Sequence, residues 1–221
     1  MKTNYLLAGA TGLVGTEIVK QLVANAAAEV WCLGRRPPEV SAANLHFVEH
    51  DFKSEVDWSR QKPVSPVAIC TLGTTIKKAG SQSAFREVDF DFVVNFATEA
   101  LALGARSLHV VTAHGASANS AIFYNRVKGE LEAKLLSMRL PSLHIYRPSL
   151  LLGSRKEHRA GENIASVVTS VLSPLFKIPG LSSIQPTPAD RLAAYIIKSS
   201  ASAATGNHVH TNLQIMQGSI T

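Results

Sequence analysis

The sequence predicts an α/β fold, a doubly wound parallel sheet, and three observations predict it. Short apolar runs alternate with longer segments whose apolar residues recur at three- and four-residue steps. A glycine-rich turn, Gly9-Ala10-Thr11-Gly12-Leu13-Val14-Gly15, stands between the first run and the first helical segment. The chain has 221 residues, 46% hydrophobic and 17% charged, enough for one α/β domain, or two small ones at most, and too apolar for disorder. Strands alternating with helices need right-handed crossovers, which cover both faces of a parallel sheet.

Asn4 to Ala8 reads as the first strand and Leu13 to Ala28 as the first helix, because Leu13, Ile18, Leu22 and Val23 project together. Val30 to Leu33, Leu45 to Glu49 and Val67 to Leu72 are short apolar strands. Ser83 to Ala102 reads as one helix on Phe85, Val88, Phe92, Phe96 and Ala100. Leu108 to Thr112 follows as a fifth strand, Tyr124 to Met138 as a helix and Leu143 to Tyr146 as a sixth strand. After Arg147 the pattern loosens. Leu150 to Gly161 reads as a basic, polar loop, and Asn163 to Leu172 as a helix. Pro174, Pro179, Pro186 and Pro188 then interrupt the chain. Ala189 to Lys198 is helical, and His208 to Ile215 is expected to be the last strand. The expectation is one domain over 1–221, in which a small irregular C-terminal part, roughly 150–188, covers substrate.

Composition narrows the function classes. Glycine and proline are at ordinary frequency and no repeat is visible, which excludes fibrous and low-complexity classes. No apolar run reaches the roughly 18 to 20 residues of a membrane helix, and the N-terminal run is too short for a signal peptide. The expected location is therefore cytoplasmic, with Cys32 and Cys70 as reduced thiols in apolar strands. The formal charge is +6. Its basic spots are short, Arg35-Arg36, Lys77-Lys78 and Arg155-Lys156 with Arg159, and no aromatic residues interleave them. Nucleic acid is accordingly not an expected partner, whereas an anionic cofactor is.

The glycine turn carries the first chemical signal. Gly9 permits a tight turn, Gly12 lets backbone approach a pyrophosphate, and Gly15 lets helix pack on strand. The free N–H groups of the helix N-terminus, around Ala10, Thr11, Leu13 and Val14, then face the phosphates. The Walker lysine is absent, so the spacing points to a dinucleotide. The second strand ends at Leu33-Gly34-Arg35-Arg36, where an NAD site usually has a carboxylate for the ribose. Two arginines offer planar donors for a 2′-phosphate instead, so NADP(H) is the expected cofactor. Asp51 and Phe52 are expected to flank the adenine, and Leu72-Gly73-Thr74-Thr75 to lie near the middle of the cofactor.

Tyr124 and Lys128 are one helical turn apart on one face. A phenol with pKa about 10 is a poor base at neutral pH, and an adjacent ammonium lowers that value. Such a pair can relay a proton to or from a carbonyl or alcohol, while the lysine also donates to a nicotinamide ribose.

Together these residues make the chain resemble a short-chain dehydrogenase/reductase of the atypical branch, and more closely the HIV Tat-interacting-protein-like oxidoreductases and their bacterial relatives. The matching segments are Gly9 to Gly15, Cys70 to Thr75, Lys78 to Ser81, Val88-Asp89, His114-Gly115-Ala116, Tyr124 to Glu132, and Arg147-Pro148-Ser149 through Gly153. The resemblance covers most of residues 1–162. It implies a Rossmann fold, NADPH binding, a reductase-like site, and Arg147-Pro148 near the nicotinamide. Relatives carry Ser-Ser after the fifth strand, the second serine orienting the substrate oxygen. Here the positions are Thr112-Ala113, and Ala113 has no hydroxyl. Thr112, at a rigid strand end, is the expected substitute, with Ser120 in the following loop as the alternative.

Other residues carry weaker signals. His208 and His210 alternate on the expected last strand with no third ligand, so they read as a polar strand face and no metal is expected. His114 is a loop residue within reach of a substrate. Glu130 and Lys134 read as solvated helix surface, and Asp190 as a helix-start carboxylate. The function expected is an NADPH-dependent oxidoreductase that moves a hydride to or from an unidentified carbonyl or alcohol. The alternative is an NADPH-binding regulatory module that acts on a protein partner. A nucleotide-sugar epimerase fits less well, because the acidic ribose partner is missing and the C-terminal part is short.

Overall fold

The computed structural model describes residues 2–59, 61–153 and 185–220. Its strands are β1 (Thr3–Ala8), β2 (Ala28–Gly34), β3 (Leu45–Glu49), β4 (Val67–Cys70), β5 (Ser107–Val111), β6 (Ser142–Arg147), β7 (Leu151–Leu152), β8 (Thr187–Pro188) and β9 (Gly206–Thr211). The helices are α1 (Leu13–Val23), α2 (Ile76–Ala79), α3 (Gln82–Arg86), α4 (Phe92–Ala102), α5 (Phe123–Ser137), α6 (Ala189–Ser200) and α7 (Asn212–Gln217).

Seven strands form one parallel sheet in the order β3-β2-β1-β4-β5-β6-β9, and β7 pairs with β8 apart from it. The order reverses between β1 and β4, and a crevice opens at the carboxyl ends of strands at such a point. This is the doubly wound Rossmann architecture that the alternating pattern predicts. Strand alternation divides the core. Leu7, Val30, Cys32, Ile69, Val111 and Tyr146 face α1 and α6, while Leu6, Trp31, Leu33, Ala68, Val110 and Ile145 face α4 and α5. Both faces are covered, which is why the strands read as continuous apolar runs.

Three elements depart from expectation, each for a local reason. The helix expected over Ser83 to Ala102 is divided into α3, a π-helical turn Glu87–Asp91, and α4. Asp89 lies in this turn and inside the fold, 1% exposed. The strand expected to reach Ile215 stops at Thr211, which caps α7 in a reciprocal box with Gln214. The first helix stops at Val23, because the chain turns at Asn25 to enter β2, with Ala28 N–H donating to the Asn25 carbonyl at 2.9 Å. The helix expected over Asn163 to Leu172, and most of the expected substrate-covering part, lie outside the described residues.

His208 and His210 do not form a polar strand face. His210 is 2% exposed and belongs to a buried array under α6. His144 Nδ1 lies 2.9 Å from His210 Nε2, and His210 Nδ1 lies 3.1 Å from the Tyr195 hydroxyl. His109 Nδ1 meets the Tyr146 hydroxyl at 2.8 Å, and its ring stacks on His144 at 4.4 Å. His208 stacks on the other side of His144 at 4.6 Å. Each buried ring satisfies its nitrogens within this array, as buried polar groups must.

Candidate functional site

The glycine turn follows β1 and leads into α1, beside the carboxyl end of β4. Gly9 has φ +89, and a Cβ there would lie 2.6 Å from Thr71 Oγ1. A Cβ on Gly15 would lie 2.1 Å from the Gly9 carbonyl oxygen. No side chain fits at either position, so turn, helix and β4 close tightly. Thr71 locks the junction, donating from Oγ1 to the carbonyls of Ala8 at 3.1 Å and Gly9 at 3.2 Å. Gly12 is the N-cap of α1 and offers no side-chain hydrogen bond, and the first turn holds no acidic residue. Thr11 and Gly12 are exposed and Leu13 is half-buried, whereas Ala10 and Val14 are buried. The helix start thus presents uncapped N–H groups and a positive dipole end to the crevice. This cradle fits the pyrophosphate of a dinucleotide.

Arg35 and Arg36 are exposed directly beyond β2, and neither forms a salt bridge among the described residues. Asp51 is exposed, and its Oδ1 accepts from Lys53 N–H at 2.9 Å. Phe52 differs from its expected setting. It has φ +65, its carbonyl accepts from Asn95 Nδ2 at 2.8 Å, and its ring stacks on Phe92 at 5.9 Å, only 3% exposed. The ring belongs to the core and the carbonyl is held by α4, so Phe52 does not flank the adenine as expected.

Leu72 to Thr75 run from β4 towards α2. Thr74 N–H donates to Asp89 Oδ2 at 2.8 Å, and Asp89 Oδ1 is 2.7 Å from Lys128 Nζ. Lys128 is 3% exposed. Burial pulls its ammonium towards the neutral form, but the Asp89 carboxylate and the nearby Tyr124 phenol outweigh that, and its pKa is raised. Tyr124 stands one turn earlier on α5, half-buried, its ring 5.5 Å from Phe85. Its hydroxyl forms no hydrogen bond among the described residues. Gly73 closes the group, since a Cβ there would lie 3.4 Å from Asp89 Oδ1 and 4.0 Å from Lys128 Nζ. Phosphate turn, β4 loop, Asp89, Lys128 and Tyr124 are therefore one connected constellation.

Thr112 does not have its expected role. It is 5% exposed, and its hydroxyl donates to Glu132 Oε1 at 2.7 Å, with the Tyr146 carbonyl at 3.2 Å. Glu132 also accepts from Arg147 Nε at 3.1 Å and Nη2 at 2.5 Å. A hydroxyl has one proton, and this one is committed to a buried carboxylate. Thr112 thus holds Glu132, and Glu132 holds Arg147. Ser120 Oγ accepts from Ile122 N–H at 3.2 Å and donates to no acceptor among the described residues. Pro148 is buried, and its carbonyl accepts from the N–H of exposed His114 at 2.8 Å.

Asp89 and Glu132 are the site residues that residue-by-residue reading missed. Asp89 lies in a resembling segment, and its role comes from a pairing with Lys128 of another element, which local spacing does not show. Glu132 had a usable signal, because Tyr124, Lys128 and Glu132 follow one another at four-residue steps on one face of α5.

A model of the NAD dependent epimerase/dehydratase family matches residues 5–123. Protein HTATIP2 of Rattus norvegicus is 33% identical over 168 residues, 74% of this chain and 69% of that protein. Protein FMP52, mitochondrial, of Candida albicans is 35% identical over 173 residues, 75% of each chain. The structure of MoeE5 in complex with UDP-glucose and NAD superposes with a TM-score of 0.69 at 15% identity, covering 93% of this chain and 74% of that one. The relatives also correct the cytoplasmic expectation. Those from Candida albicans, Lodderomyces elongisporus and Eremothecium gossypii match 72–75% of the chain and are named mitochondrial. Address signals are read by receptors and are separable from the fold, so composition does not encode them. With its glycine cradle at the sheet's switch point and a family match over more than half its length, the chain belongs to the NAD dependent epimerase/dehydratase family.

Proposed function

We propose that the protein is an NADPH-dependent oxidoreductase acting on a carbonyl or alcohol. One observation carries the reading: the Tyr124 hydroxyl, without a hydrogen bond among the described residues, stands one helical turn from an ammonium that is kept charged inside the fold by Asp89. A bound nicotinamide dinucleotide supplies or accepts the hydride. Gly9, Gly12 and the N–H groups from Ala10 to Val14 hold the pyrophosphate. Arg35 and Arg36 take the 2′-phosphate through charge-assisted hydrogen bonds. Asp51 and residues Leu72 to Thr75 line the rest of the groove.

Tyr124 donates a proton to the substrate oxygen in reduction and takes it back in oxidation. Lys128 stabilises the phenolate that this leaves and donates to the ribose. Arg147, fixed by Glu132, and Pro148 border the reacting end. Ser120 replaces Thr112 as the hydroxyl that orients the substrate oxygen. A regulatory reading has one observation in its favour: the strand-end hydroxyl is spent on Glu132, which leaves substrate orientation to a loop serine.

Cofactor titration and turnover test this reading. NADPH is expected to bind more tightly than NADH. Replacing Arg35 and Arg36 with alanine together should remove most of that preference, at about 1.5–3 kcal/mol per contact. With a substrate found from a panel of aldehydes, ketones and quinones, Tyr124→Phe should abolish turnover and leave NADPH affinity nearly intact. Equal affinity for both cofactors would defeat the NADPH assignment. Full turnover in Tyr124→Phe would defeat the proton relay, and tight NADPH binding with no reacting carbonyl would favour the regulatory reading.

A further inference from the structure

We propose that Asn212 is a positioning residue for the reacting half of the cofactor, an inference that rests on the NADPH reading above. Asn212 is the first residue of α7, directly after β9, and is 1% exposed. Its Oδ1 accepts from Thr187 Oγ1 at 2.5 Å and from Ser149 N–H at 3.2 Å, and its Nδ2 donates to the Gln185 carbonyl at 2.7 Å. Ser149 N–H is shared with Thr187 Oγ1, also at 3.2 Å. One buried amide thus ties the chain that follows β6 to the chain that precedes α6.

The tied segment is a strap along the crevice. Residues 149–153 follow Arg147-Pro148 at the end of β6 and finish beside the cofactor cradle, where a Cβ on Gly153 would lie 2.6 Å from Leu13 Cδ1. Leu13 is the first residue of α1, and it packs with Leu151 against one apolar core. Three inter-strand steps separate β6 from β1, about 14 Å at about 4.8 Å each, so the strap passes the carboxyl ends of β5 and β4. A dinucleotide lies across the switch point of such a sheet, with its pyrophosphate on the glycine turn. With the 2′-phosphate at the arginines beyond β2, the nicotinamide half extends the other way, over β4 and β5, towards this strap.

Backbone contacts make the strap one unit. Thr187 N–H donates to the Leu150 carbonyl at 2.8 Å, and β7 pairs with β8 through Leu151 and Thr187. The Pro148 carbonyl accepts from His114 N–H, also at 2.8 Å. The chemistry of the knot selects asparagine. Two donors converge on its oxygen and a carbonyl faces its nitrogen, so the side chain must accept twice and donate once while uncharged. Aspartate would set an acceptor against the Gln185 carbonyl, and leucine would give none of the three groups a partner. Buried as it is, Asn212 acts through the backbone of Ser149 and not on the cofactor itself.

Calorimetry compares NADPH with adenosine 2′,5′-bisphosphate, which lacks the nicotinamide half. Polarisation of the reduced nicotinamide's own fluorescence, read at saturation, reports how firmly that half is held. Asn212→Ala and Thr187→Val, the second removing one hydroxyl at nearly constant shape, should leave the bisphosphate affinity at the parental value. NADPH should bind Asn212→Ala about ten-fold more weakly, the worth of one or two hydrogen bonds, and its nicotinamide should be less polarised in both variants. Tyr195→Phe is the control. It removes hydrogen bonds to His210 and Ser219 from the same C-terminal elements and none from the strap, so both ligands should bind it as they bind the parent. If Asn212→Ala fails to fold, Thr187→Val carries the test. Parental NADPH affinity and polarisation in the folded variants, equal losses for the two ligands, or the same split in Tyr195→Phe would each overturn the positioning role. A parent that binds neither ligand overturns the NADPH reading, and this inference with it. A parent that binds both leaves that reading standing, whatever the variants do.

Discussion

Lys128 keeps its charge inside the fold because Asp89 lies 2.7 Å away and is itself fixed by Thr74 N–H. Two buried charges cost several kcal/mol each to desolvate, so the pair is stable only as a pair. Asp89→Asn retains an acceptor for Thr74 and removes only the charge. It should destabilise the protein by about 3–5 kcal/mol, read as a lower urea midpoint. The double replacement Asp89→Leu with Lys128→Met removes both charges and should recover much of that loss. If Asp89→Asn unfolds at the parental midpoint, Lys128 does not depend on its partner for its charge. Thr112 teaches the same lesson in neutral form. A hydroxyl assigned to substrate on sequence position is bound to Glu132, because a buried carboxylate takes the nearest proton.

At the scale of elements, α5 is the part on which the site depends. Its residues Tyr124, Lys128 and Glu132 form one stripe, and Gly129 lets the loop after β5 cross the helix. A Cβ on Gly129 would lie 2.1 Å from the Ser117 carbonyl carbon and 2.2 Å from Ala118 N. Backbone cannot yield as a flexible side-chain tip can. Gly129→Ala is therefore expected to push the loop that carries Ser120 off the helix. Stability should fall by about 1–3 kcal/mol, despite alanine's better helix propensity. A melting temperature at or above the parent's would show that the loop rides free of α5. The π-helical turn between α3 and α4 has a related function. It carries Asp89, which is buried against Lys128.

At the scale of the whole molecule, the histidine array joins β5, β6, β9 and α6. Burial lowers His144 and His210 to about 4, and His109 well below its ordinary value. The unfolded chain takes up protons near pH 6.5, so it binds more protons than the native state between about 6.5 and 4. Stability should hold above pH 7 and fall as the pH drops through that window. Each strongly displaced histidine contributes roughly 2–3 kcal/mol across it. Urea midpoints at pH 7.5, 5.5 and 4.5 measure this, and a midpoint at pH 4.5 equal to that at pH 7.5 would contradict it. The array also marks the limit of sequence pattern. His208 and His210 alternate as an exposed face would, yet His210 is buried against Tyr195 of α6 and His208 is half-buried, stacked on His144.

Local signals were legible because they act over a few residues. The glycine turn, the apolar strands, the two arginines beyond β2 and the Tyr124–Lys128 spacing are each set by steric rules or helical geometry within one element. They determined the parallel sheet, its switch point and the dinucleotide cradle. What the tertiary structure alone decided were pairings between elements distant in sequence. Asp89 of the π-helical turn meets Lys128 of α5. Glu132 joins Thr112 to Arg147 from three separate elements. Trp31 lies against His46 and Trp58 at the far edge of the sheet. Such contacts depend on where buried charges and donors find partners, and that is a property of the packed chain that no local pattern carries.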